Sequence, residues 1–181
     1  MDRREAIRIT TAIFGGMIVG GEAFLSGCES KNKSISELIS EEQINLLNEI
    51  GETIIPESTS SDGAKAAKVG QFMKAMINDC YNPNEKKIFL EGLQQIEKFS
   101  IDQFNNTFLQ LTQDQKAELL MELEKESSMN EDLHYYTLFK QLTVLGFVTS
   151  EVGQTKAMRY EAVPGRYDAC ISYKEGDKVW A

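Results

Sequence analysis

The residues able to do chemistry in this 181-residue chain are few: His134 as the only histidine, three cysteines (Cys28, Cys80, Cys170), and scattered carboxylates. A zinc or copper site needs several imidazole or thiolate ligands together, and a lone imidazole without a Cys-x-x-Cys pair does not supply them. The chain has no Cys-x-x-Cys-His to attach haem. It has no strand followed by Gly-x-Gly-x-x-Gly to cradle a flavin or nicotinamide, and no Gly-x-Ser-x-Gly elbow. Glu118, Glu122, Glu124 and Glu126 alternate with Lys125 and read as the wet face of a helix. Glu151, beside Ser150 at a helix end, is the one acid placed for acid–base work, and a helix-end polar contact is its ordinary reading. By these patterns no catalytic, metal or cofactor-binding residue is expected in this chain.

Cys28 stands in a different context. The chain opens Met1-Asp2-Arg3-Arg4-Glu5, continues through a glycine-rich apolar run, and reaches Leu25-Ser26-Gly27-Cys28. An arginine pair, a short apolar core and a small-residue exit make an export signal, and Arg3-Arg4 points to the twin-arginine route. Leu-Ser-Gly-Cys has the form of a bacterial lipoprotein box, in which the cysteine is lipidated and becomes the new N-terminus. The apolar core, Ala12 to Gly21, is about half of the ~20 residues a membrane-spanning helix requires. Gly15, Gly16, Gly20 and Gly21 weaken helix there further, and Glu22 is costly at membrane depth. An amphipathic helix of a cytosolic protein or an uncleaved anchor is the competing reading. Ala6 departs from the bulky aromatic usual after the arginine pair, which leaves the general secretory route open. The expected organisation is thus a twin-arginine-type lipoprotein signal at 1–27, a lipidated polar tether at 28–37, and one folded domain at 38–181. The expected destination is across the bacterial inner membrane, as a periplasmic, lipid-anchored protein.

Acids and bases balance within the first 27 residues, so the exported part keeps the formal charge of −9. An acidic chain without a Lys/Arg cluster is a poor match to nucleic acid or to an anionic lipid surface. Lipid on Cys28 must then do the anchoring, and two or three acyl chains hold where one does not. In an oxidising compartment Cys80 and Cys170 are left to pair. That bridge would close a loop of about 90 residues, worth roughly 4–5 kcal/mol in the chain-entropy picture. Two free buried thiols are the alternative.

The elements expected in 38–181 form an all-α fold, a small helical bundle with an irregular C-terminal tail. Ser40 and Gln43 set a capping box ahead of Ile44, Leu47, Ile50 and Ile54, and Pro56 stops that helix. Val69, Phe72, Met73, Met76, Ile77 and Cys80 recur on one helical face, which places Cys80 toward the core. Pro83 opens a helix carrying Ile88, Phe89, Leu93 and Ile96 to about Phe99, and Ser100–Thr107 reads as a polar interruption. Thr112 and Gln115 make a second capping box before Leu119, Leu120 and Leu123. A last helix is expected from Glu131 to about Thr149, with Tyr135, Leu138, Phe139, Leu142 and Leu145 inward. Glycine, proline and scattered aromatics from Ser150 onward exclude another long helix. That segment reads as a tail wrapped over the bundle, with a short hairpin near Ile171–Val179, ordered by a disulfide or a partner.

Several stretches, weak singly but specific in their order, resemble the gluconate 2-dehydrogenase subunit 3 (small, or gamma, subunit) family. They are Ile50-Gly51-Glu52-Thr53-Ile54-Ile55-Pro56, Asp62-Gly63-Ala64-Lys65, Gly146-Phe147 with Thr149-Ser150-Glu151 and Gly153, and Tyr160 followed by Val163-Pro164-Gly165-Arg166-Tyr167-Asp168-Ala169-Cys170. The likeness runs from about residue 37 to 180. It implies an all-helical, non-catalytic accessory subunit carrying a twin-arginine signal. It also implies a large FAD-containing partner of the glucose–methanol–choline class, often with a cytochrome as third subunit. The small subunit would then escort a folded flavoprotein across the membrane, and the lipoprotein box would make this copy an anchor as well. Phe147, Ser150, Glu151, Pro164, Gly165 and Tyr167 are the residues expected to touch the partner. A stand-alone helical envelope lipoprotein is the alternative reading. An enzyme using Glu151 or His134 as acid or base is the remaining one.

Overall fold

The computed structural model describes residues 4–5, 39–130, 132–165, 167 and 170–181. By contacts the chain divides into Met1–Glu37 and Leu38–Ala181. Of the first unit only Arg4 and Glu5 are described, helical and exposed; Arg3, Cys28 and the tether lie outside the described residues.

Among its described residues the second unit holds five α-helices: α1 (Glu41–Ile54), α2 (Val69–Cys80), α3 (Pro83–Phe104), α4 (Gln113–Met129) and α5 (Tyr135–Val148). A 3-10 turn, Phe108–Gln110, joins α3 to α4, and a one-turn π-helix, Gly153–Ala157, follows α5. No strand forms among the described residues; the all-helical fold is as expected.

Local chemistry accounts for most helix boundaries. Ser40 Oγ accepts the Gln43 amide at 3.3 Å while Gln43 Oε1 accepts the Ser40 amide at 2.9 Å, the reciprocal box that starts α1. Thr112 and Gln115 repeat it at α4, and Asn82 with Glu85 adds a third box at α3, where Pro83 occupies the first turn. Pro56 follows Ile55, whose amide closes α1 onto the Gly51 carbonyl at 2.8 Å.

The start of α2 has no such local device. Its N-cap, Lys68, sits in the left-handed region at φ 55° and makes no side-chain cap bond. The acceptor comes instead from α1: buried Asn48 Oδ1 takes the Gly70 amide at 2.9 Å. An orphan donor of one helix is thereby satisfied by the body of another.

The last helix is the hub, since α5 packs against α1, α2, α3 and α4. Leu138, Phe139 and Leu142 are fully buried on it, and Phe139 meets Phe89 of α3 edge-to-face at 4.8 Å. Ile44, Leu47 and Ile50 of α1, Val69, Met73 and Ile77 of α2, and Leu119, Leu120 and Leu123 of α4 complete the core.

Four expectations are corrected. The third helix continues through Ser100 to Phe104, because the buried Ser100 hydroxyl bonds back to the Ile96 carbonyl at 2.8 Å and half-buried Phe104 adds an apolar anchor. The last helix begins at Tyr135, not Glu131, because His134 Nδ1 accepts the Tyr136 amide at 3.3 Å and caps it. Leu145 faces outward, 42% exposed. Finally, the tail expected from Ser150 packs on the bundle only through its π-helical start, where Gly153 is buried and Val152 and Ala157 meet the core; from Arg159 on, every described residue whose burial is assigned is exposed.

Candidate partner interface

Three of the motif stretches, Ile50–Pro56, Asp62–Lys65 and Gly146–Gly153, converge on one corner, where the end of α1, the 55–68 loop, the start of α2 and the end of α5 meet, whereas the described residues of the Tyr160–Cys170 stretch are exposed in the tail. Glu52 organises it. Its Oε1 accepts the Glu57 amide and its Oε2 the Lys65 amide, each at 2.8 Å, so one carboxylate holds both ends of the Glu57–Lys65 loop. Gly63 passes directly over this carboxylate; a Cβ there would lie 2.2 Å from Glu52 Oε1. Below, Gly51 brings α1 against Ala64, Val69 and Thr143. Replacing Glu52 by alanine should hand two exposed loop amides to water and cost about 1 kcal/mol, read as a lower urea midpoint and faster proteolysis between Glu57 and Lys65. An unchanged loop cleavage rate would contradict that role.

The Phe147–Gly153 segment is built with the same economy. Ser150 Oγ donates to the Phe147 carbonyl at 2.7 Å and accepts the Gly153 amide at 3.0 Å. Gly153 lies so close beneath Phe147 that a Cβ would meet its carbonyl oxygen at 1.9 Å. Lys156 then reaches Asp62 at 3.8 Å, tying the π-helix to the 55–68 loop.

Of the six residues expected at a partner surface, the structure thus separates two groups. Phe147 is buried in the core and Ser150 is occupied by the backbone of its own turn. Glu151, Pro164, Gly165 and Tyr167 are exposed, Tyr167 at 90%, with Gly165 at φ 63° where a left-handed residue is required.

The expected Cys80–Cys170 bridge is not formed: both thiols are free and exposed. The apolar stripe of α2 runs out into solvent in its last turn, so Cys80 is not a core residue, and its neighbour is Met76 Sδ at 4.0 Å. Cys170 lies in the exposed tail.

His134 and Glu151 flank opposite ends of α5, a 14-residue helix and so about 21 Å long. They cannot act on one bond. His134 is engaged as the cap and its ring stacks on Tyr135 at 4.2 Å; burial lowers its pKa, with Glu126 opposing more weakly. Tyr136 is pushed up to about 12, first by burial and then by Glu124. Among the described residues no group of three or more His, Cys, Asp or Glu is placed to hold a metal.

Sequence reasoning missed one surface. An open groove of ≈ 610 Å³ runs between α4 and α5, lined by Tyr136, Val144, Leu145 and Val148 with the Glu124–Lys140 ion pair on its wall. The signal was present: α5 carries apolar residues on more faces than one core contact needs.

These observations define a class: a small helical module whose motif residues are spent on holding its own backbone and whose apolar tail is left outward. The particular family follows from comparison with known proteins. Residues 41–165 match the family model of gluconate 2-dehydrogenase subunit 3, and the chain belongs to that family. Its members are subunits of a dehydrogenase complex. No curated protein and no solved structure matches the chain.

Proposed function

We propose that this chain is the non-catalytic small subunit of a periplasmic, FAD-dependent sugar or polyol dehydrogenase of the glucose–methanol–choline class. In this reading the flavin sits in the large subunit, and a cytochrome completes the electron path in complexes that have one. The chain contributes escort through the twin-arginine route on Arg3 and Arg4, support of the folded partner, and a membrane tether through lipid on Cys28. The family assignment carries the reading. The geometry supports it: the polar motif residues Glu52 and Ser150 are engaged by the chain's own amides and carbonyls, while Val163, Tyr167 and Tyr173 stand in solvent.

The test is recovery of the tagged protein from native membranes in mild detergent, read by flavin absorbance and mass spectrometry. A yellow eluate with a stoichiometric large flavoprotein is expected, and a truncation ending at Met158 should lose it. A colourless single chain across several detergents would overturn the reading in favour of a stand-alone lipoprotein.

A further inference from the structure

The tail is exposed but it is not unformed. The Arg159 amide donates to the Val179 carbonyl at 2.8 Å, and the Ala181 amide donates to the Arg159 carbonyl at 3.1 Å, a single parallel bridge between Arg159 and Trp180. Above it the Arg159 guanidinium lies 4.0 Å from the centre of the Trp180 ring. Lys178 Nζ donates to the Lys156 carbonyl in the π-helix. The last four residues are thus fastened to the point where the tail leaves the bundle.

Between these ends the chain turns at Lys174–Asp177. The Asp177 amide bonds the Lys174 carbonyl at 3.0 Å, the Lys174 amide bonds Asp177 Oδ2 at 2.9 Å, and Gly176 takes φ 91°. Ile171 and Tyr173 come back to line, with Arg159 and Trp180, a small pocket of ≈ 260 Å³.

What this closed loop presents is mostly apolar and aromatic: Tyr160, Val163, Tyr167, Ile171 and Tyr173 are all more than half exposed. In the sequence of this segment Glu161, Asp168, Glu175 and Asp177 are nearly offset by Arg166, Lys174 and Lys178, unlike the chain as a whole with its charge of −9. An aromatic residue offers ~150–250 Å² on full burial, so the exposed parts of the three tyrosines would supply roughly half of the ~800 Å² per partner of a stable interface.

We propose that the Arg159–Trp180 contact is a clasp that fastens the end of the tail to its root and so presents Tyr160, Val163, Tyr167, Ile171 and Tyr173 as a preformed docking surface for the dehydrogenase subunit. The docking role rests on the function proposed above; the clasp itself does not. A cation over an indole face is a sound fastener because the ring quadrupole attracts it while both groups keep contact with water. Fixing the loop before association removes an ordering cost that a free tail of this length would carry into every encounter. Recognition through tyrosines and aliphatics should make the complex insensitive to salt.

The chain has one tryptophan, so Trp180 emission reports the clasp directly. In the full-length protein Arg159→Ala should shift that emission to the red. Trp180→Ala should speed chymotryptic cleavage after Tyr167 and Tyr173 about ten-fold, with the helical melting transition unmoved. The same variant should lower recovery of the flavoprotein from native membranes about ten-fold, and Trp180→Phe should restore most of it. Unchanged emission and cleavage would overturn the clasp. An opened loop with full recovery would overturn its docking role. Should the wild-type chain recover a second copy of itself, or no dehydrogenase, the docking role falls together with the proposed function, while emission and cleavage still decide the clasp.

Discussion

Glu49→Ala should destabilise this protein by about 3 kcal/mol, whereas Lys116→Met should be close to neutral. Lys116 is 4% exposed, and its ammonium donates to Glu49 Oε2 at 3.0 Å while lying 5.8 Å from the centre of the Phe108 ring. Glu49 also pairs with Lys65, which is largely in water. Removing the carboxylate leaves a buried ammonium without its counter-charge. Removing the ammonium leaves a carboxylate that still has Lys65, and methionine fills similar space without a charge to desolvate. The double variant should therefore recover most of the loss seen in Glu49→Ala, a coupling that urea denaturation of the four proteins would measure. Equal losses in the two single variants would contradict the account.

The same cluster predicts a pH dependence. Burial pushes the Glu49 carboxyl up, but hydrogen bonds from Lys65 and Lys116 outweigh it and hold the group below its usual range. A carboxyl whose folded pKa is lowered adds stability above its unfolded value, ~4.3 for glutamate, and loses it as pH falls through the folded one. Wild type should thus lose melting temperature more steeply below pH ~4.5 than Glu49→Gln. Parallel curves would show that the pair contributes nothing to acid sensitivity.

Gly70→Ala carries the second large effect, and its sign is the test. Inside a helix this change ordinarily adds up to ~1 kcal/mol. Here the new methyl would sit 2.6 Å from the Ile44 carbonyl oxygen and 3.0 Å from Asn48 Oδ1. Neither atom can step aside freely: the first belongs to the backbone of α1, and the second is the acceptor that caps α2. Helix α2 must lift off α1, loosening the Asn48 bond and the packing of Val69, so a loss of about 2–3 kcal/mol is expected in urea denaturation. A neutral or stabilising result would mean that the two helices are less closely apposed than described.

How far the sequence reached depends on the range of each interaction. The boxes at Ser40 and Thr112, the stop at Pro56 and the opening at Pro83 join residues no more than three or four apart, so each could be read in place. The loop at Glu57–Lys65 was legible by composition, but not the carboxylate of Glu52 that holds it. Ser100 read as a break because its polarity was visible, whereas its bond to Ile96 becomes available only within a formed helix. Leu145 was assigned inward by periodicity alone, yet a helix touched by four others has no single inward face.

The amino-acid sequence by itself determined that this protein is helical, where most of its helices start and stop, and that its last thirty or so residues differ in kind from the rest. Helix signals lie within a turn or two of chain, and family likeness rests on the same short stretches. Only the tertiary structure decided that Asn48 caps a helix 22 residues away, that Glu49 neutralises Lys116 across 67, and that the tail closes on Arg159 rather than through Cys80 and Cys170. Those pairings join groups distant in sequence, and many acceptors, carboxylates and thiols compete for each partner along an unfolded chain. The packing of α1, α2 and α5 chooses among them by bringing one candidate within bonding distance.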